Sequence, residues 1–210
     1  MPIDRELLHN HPEAAEAFLD SQEGSLLHEV GHYVAANIGG MISGHLIVNA
    51  TAQRAAAAFV PDDRSAQRLA ADFEWSSLVS SAGLLTEYFF CGQARTRRSR
   101  SDIEAYQSMF GFYPVDLIVA RWKRDHLDRI AAHAPCIKND FDRCARYCRS
   151  NRFRIGDYHV IPSCMLRSPR WRGLRARLDE AVWTYPVKAR RRALDEFLAA
   201  QTGVLVGQVA

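Results

Sequence analysis

Five consecutive residues, His28-Glu29-Val30-Gly31-His32, have the types and spacing to hold a metal ion and move a proton. On a helix, His28 and His32 lie one turn apart on the same face, so both imidazoles reach one ion. Glu29 stands beside them, where a carboxylate can hold and deprotonate a metal-bound water. The chemistry this pattern points to is metal-assisted hydrolysis. The plainer alternative is a helix with two ordinary histidines, one of them buried and hydrogen-bonded.

A helix must carry these residues, and the flanking sequence provides one. Asp20-Ser21-Gln22-Glu23-Gly24 holds candidate caps, and Leu26, Leu27, Val30, Val34 and Ala35 give the helix an apolar side. Gly31 lets another element approach closely, and Gly39-Gly40 is a stop signal. Before it, residues 2–10 read as an N-terminal arm and Pro12–Phe18 as a short helix. After it, residues 41–50 read as a strand and residues 55–60 as a weaker one ended by Pro61. Such a pair is either a core hairpin or an edge that holds a substrate backbone. Asp62–Cys91 is helical in pattern, with Gly92 as its C-terminal cap. The loop Gln93–Arg100 carries four arginines. Ser101 and Glu104 have capping-box spacing at the start of a helix reaching Phe110.

Two histidines leave a catalytic zinc one protein ligand short. On the residues alone, Asp102, Glu87, Glu104, His45 and Asp72 are all candidates. Asp102 in a first helical turn is also favoured by the helix dipole without any metal. Glu87 has two further readings: orienting a ligating histidine from behind, or pairing with an arginine.

The order of His28-Glu29-Val30-Gly31-His32, then Ala82-Gly83-Leu84-Leu85-Thr86-Glu87 with Gly92, then Ser101-Asp102-Ile103 resembles the protease domain of the FtsH-type zinc metallopeptidases, family M41. The resemblance spans roughly residues 20–125. It implies a zincin-like domain with zinc on His28, His32 and Asp102 and Glu29 as general base. Leu84-Leu85-Thr86 departs from the small, Ala-rich stretch of that family, and Tyr88 stands where a second acid is common. These 210 residues contain no ATPase module, Gly-rich phosphate loop or membrane span, so the activity expected is ATP-independent.

The rest of the chain bears on architecture and partners. Pro114–His133 and Asp140–Arg149 read as helices, residues 151–164 as a short hairpin around Gly156-Asp157, and Val187–Ala200 as a last helix before the apolar Val204-Leu205-Val206. Cys136, Cys144 and Cys148 with His133 are a conceivable second zinc site, although helical cysteines are more often core residues. Five cysteines, an odd number, and an acidic N-terminus point to a reduced, cytoplasmic protein rather than a disulfide scaffold. Residues 1–94 carry twelve acids and four arginines, while the whole chain is +3, so the C-terminal half is strongly basic. With Trp171, Trp183 and Tyr185 interleaved among its arginines, that half could meet an acidic protein or a nucleic acid.

The expectation is therefore a mainly α protein with a small β-hairpin and the metal motif on a central helix. Residues 1–135 would form a zinc metallopeptidase-like domain, with 136–210 a basic helical extension packed on it. The substrate would be a peptide or flexible protein. The competing reading is a metallopeptidase-fold regulatory or binding protein that acts through its basic half with little or no proteolysis.

Overall fold

The computed structural model describes residues 3–38, 44–50, 57–61, 67, 71–162, 165 and 187–206. Helix α3 (Gln22–Ile38) is its axis: from Gly24 to Ala36 every residue is buried except Glu29. A helix apolar or small on all sides can only sit inside the fold. It crosses α4 (Phe73–Cys91) at very short range. A β-carbon on Gly31 would come within 2.4 Å of Thr86 Oγ1 and 2.8 Å of the Ala82 carbonyl oxygen. Glycine is what permits that approach.

Two short helices precede the axis, α1 (Arg5–Asn10) and α2 (Pro12–Leu19). The first lies where the sequence suggested only an arm. Its reason is tertiary: Arg5 Nε donates to the Phe89 carbonyl, His9 Nε2 donates to the same oxygen, both at 2.9 Å, and the Arg5 guanidinium lies over the Phe89 ring. Two donors thus close the C-terminal end of α4, where helix carbonyls lack partners. At the other end of α4, Asp72 caps through its side chain, accepting from the Trp75 N–H at 3.0 Å. The expected helix start at Asp62 and the stop at Gly39-Gly40 lie outside the described residues.

Helix α5 (Arg100–Phe110) begins earlier than its expected cap. Ser99 is the cap residue, without a side-chain cap bond, and Glu104 pairs with Arg100 at 2.8 Å instead of reaching back to Ser101. Helices α6 (Val115–Ala132) and α7 (Ala134–Arg149) follow. Trp122 of α6 is fully buried against Tyr106 of α5, and α7 packs Ile137, Phe141 and Cys144 into the core around α3.

Strands β1 (Gly44–Asn49), β2 (Ala57–Pro61), β3 (Arg154–Ile155) and β4 (Tyr158–Pro162) form one antiparallel sheet in the order β2-β1-β4-β3. Both hairpins lie where the sequence placed them, the second turning at Gly156-Asp157, but they join through β1 and β4, with Leu46 opposite Ile161. Leu46 and Val48 face the main core, whereas Ile47 meets Val160 and Leu194 of the last helix, α8 (Val187–Val206). Residues beyond 135 therefore share the core of the metal-motif helix. The protein is mainly helical with a small antiparallel sheet. Among the described residues no helix is long and apolar enough to cross a membrane. The basic, aromatic-interleaved stretch up to residue 186 lies outside the described residues.

Candidate metal centre

One turn of α3 brings His28 and His32 together inside the fold, 1% and 7% exposed, with their Nε2 atoms 3.1 Å apart. Asp102, in the first turn of α5, completes a triangle: its Oδ2 is 3.2 Å from His28 Nε2 and 3.4 Å from His32 Nε2. An ion with tetrahedral bonds of about 2.0–2.1 Å holds its ligand atoms about 3.3 Å apart. The three edges fit that spacing.

The outer nitrogens fix the protonation of this triangle. His32 Nδ1 is 2.6 Å from the Val79 carbonyl, which can only accept, so Nδ1 carries the proton. His28 Nδ1 is 3.1 Å from the Glu87 carboxylate and donates to it. In their neutral forms both rings therefore turn a bare lone pair inward, toward a third acceptor on Asp102. Three acceptors with no proton among them require a cation, either an added proton or a metal ion. The metal-free electrostatics say the same. Burial pulls His28 down, but hydrogen bonds to Asp102 and Glu87 outweigh it and raise its pKa to about 10. His32 is likewise raised against burial by Asp102. Burial pushes the Asp102 carboxyl up, but the two histidines hold it well below the ordinary carboxylate range.

Helix α4 packs directly against the two rings at Gly83. A β-carbon there would clash with both Nε2 and Cε1 of His28 and stand 2.5 Å from His32 Nε2. Only glycine allows so close an approach.

Glu29 is the single partly exposed residue between positions 24 and 36. One of its carboxylate oxygens and a nitrogen of each histidine all lie within 4.8 Å of one another, so it adjoins the same site. The closer Asp102 Oδ2 forms the third corner, while Glu29 Oε2 accepts from the backbone N–H of Phe59, on edge strand β2, at 2.7 Å. Burial raises the Glu29 pKa, with the two histidines opposing. This is the direction that makes a carboxylate a better base.

The other ligand candidates stand elsewhere. Glu87 is fully buried behind His28, and it accepts from that ring, from Arg98 and from the Arg95 N–H together. Glu104 pairs with Arg100, Asp72 caps α4, and His45 shares the face of β1 that Ile47 turns toward α8. Cys144 is a core residue, and Cys136 and Cys148 pack against the core. Burial pushes the Cys144 thiol far up and that of Cys148 to about 11. Among the described residues the group of histidines, cysteines and acids placed to share an ion is the one on α3, and the second zinc site is not formed. Arg98 behind Glu87 was beyond sequence reasoning, because four arginines crowd that loop. In comparisons with known proteins, no family model, curated protein or solved structure matches this chain.

Proposed function

We propose that the chain is an ATP-independent zinc metallopeptidase of the kind its motifs resemble, acting on peptides or flexible protein segments. The observation that carries this reading is the triangle of inward-facing acceptors on His28, His32 and Asp102, whose remaining protons are committed to Glu87 and Val79. Two imidazoles and a carboxylate at tetrahedral spacing suit zinc. Zinc bound there would lower the pKa of a coordinated water and polarise a carbonyl oxygen.

The chain's own residues divide the remaining work. Glu29 is in reach of the site and of solvent, and one oxygen is anchored by Phe59, so the other is the proton acceptor. It takes a proton as the water oxygen bonds to the scissile carbonyl carbon. It returns that proton to the amine nitrogen as the carbon–nitrogen bond breaks. Burial, which favours the protonated carboxyl, assists the first transfer. Asp102 supplies negative charge that keeps a cation in the buried pocket, and Glu87 and Val79 hold the two rings in the tautomers that present Nε2.

The test is cleavage of an unstructured protein such as casein by zinc-reconstituted protein, beside Glu29→Gln at equal zinc content. Loss of about two to four orders of magnitude in kcat with zinc retained is the expected result. Zinc-loaded protein that cleaves nothing, or Glu29→Gln with undiminished cleavage, would overturn the hydrolase reading.

A further inference from the structure

Glu87 is a carboxylate with no access to water, 0% exposed. A charge in that position persists only when its lone pairs are matched by donors. Oε1 accepts from Arg98 Nη1 at 2.8 Å and from His28 Nδ1 at 3.1 Å, and Oε2 accepts from the Arg95 N–H at 2.7 Å. Two of these donors belong to the loop between α4 and α5, and Arg98 is the only side chain of that loop among them. The other guanidinium nitrogen of Arg98 donates to the carbonyl of Leu19, the last residue of α2. Arg98 is thus held at both ends, one on the fold and one on the carboxylate behind the first histidine.

Its neighbours do different work. Arg95 directs its side chain to Glu16 and Asp20 at the surface, and Arg100 pairs with Glu104 within α5. His32 depends on none of this, because its ring is held by Val79 of α4. We infer that Arg98 is a positioning residue of the metal centre: it locks the Glu87 carboxylate so that Oε1 meets His28 Nδ1, and so aims His28 Nε2 at the ion. Without Arg98, Oε1 keeps only His28 as a partner and the buried carboxylate is anchored to the loop through the Arg95 N–H on Oε2 alone, so the direction of Oε1 toward His28 Nδ1 is less firmly set. This inference rests on the metal-centre reading above.

A purely structural arginine would stabilise the fold and leave metal affinity alone, so affinity is the quantity to measure. Zinc affinity by chelator competition, and the visible absorption of the cobalt-substituted protein, would be compared in wild type, Arg98→Met, Arg98→Lys, Glu87→Gln and the Arg98→Met/Glu87→Gln double variant. All are read at a temperature where circular dichroism shows them folded. Arg98→Met is expected to bind zinc about ten-fold or more weakly and to change the cobalt spectrum. Arg98→Lys should fall between, because an ammonium cannot grip Glu87 and the Leu19 carbonyl in one planar fork. The double variant should be no weaker than Glu87→Gln alone, since Arg98 acts through that carboxylate. If Arg98→Met does not fold, Arg98→Lys with Glu87→Gln closes the same cycle. Wild-type affinity in Arg98→Met and Arg98→Lys, or losses that simply add in the double variant, would overturn the inference while leaving the metal centre standing. A wild-type protein that binds no metal would overturn both.

Discussion

Gly83 stands directly against His28: a β-carbon there would lie 2.3 Å from Nε2, and 2.5 Å from the same atom of His32. The backbone of α4 thus lies against both imidazoles, and one methyl group at this position would displace them from the triangle they form with Asp102. Alanine is the better helix former by about 1 kcal/mol, so Gly83→Ala carries no intrinsic cost to α4. The predicted outcome is a protein that remains helical by circular dichroism but retains almost no zinc after dialysis. Zinc at the wild-type level in Gly83→Ala would show that the packing of these two rings against α4 does not govern zinc binding.

Acidity should act in opposite directions on the metal-free and the metal-loaded protein. Without metal, His28 is raised from an ordinary 6.5 to about 10. The stability it contributes is complete below about pH 6.5 and disappears as pH rises toward 10. Asp102 and Glu87 are lowered instead, so their contribution is present above the ordinary carboxylate values and is lost in acid. A metal ion competes with the protons on these ligands and gains as they leave. Thermal melts in chelator should therefore show Tm falling between about pH 6.5 and 9, while the rise in Tm on adding zinc grows over the same range. A zinc-induced rise that is largest at the acid end would contradict the assignment of His28 and Asp102.

His28, Glu29 and His32 could be read together because they are one turn of one helix. Asp102, 74 residues beyond His28, is one of five candidates on the residues alone and is singled out only by the resemblance. What could not be read was settled over long separations. Strand β4 pairs Ile161 with Leu46, far apart in the chain, so two separate hairpins gave no sign of one sheet. Helix α1 exists where only an arm was expected, because Arg5 and His9 find the Phe89 carbonyl. Ser101 matches a capping box on paper, yet Glu104 has an ion partner one turn back in Arg100, and the helix starts earlier. Glu87 offered three roles to a reader of the sequence. The structure buries it between His28, Arg98 and the Arg95 amide, contacts that no local pattern specifies.

The shared core also makes a prediction about the boundary at residue 135. Ile137, Phe141, Cys144, Phe153 and Ile161 belong to the same buried cluster as Leu27, Val30 and Leu46. Removing residues 136–210 would expose that cluster and strip β1 of its partner β4. Each large side chain lost from such a core typically costs about 2–5 kcal/mol, and whole domains are stable by about 5–15 kcal/mol. A chain ending at residue 135 is expected to show no cooperative unfolding transition in denaturant. A sharp transition, with zinc binding intact, would mean that the first 135 residues fold alone.

The most direct test of the metal centre is zinc content by elemental analysis after reconstitution and exhaustive dialysis, in wild type and in His28→Ala, Asp102→Ala, Glu87→Ala and Glu29→Gln. The predicted result is about one zinc per chain in wild type and in Glu29→Gln, near none in His28→Ala and Asp102→Ala, and weakened but detectable retention in Glu87→Ala. Wild-type protein that holds no zinc, or Asp102→Ala that holds it as well as wild type, would contradict the account.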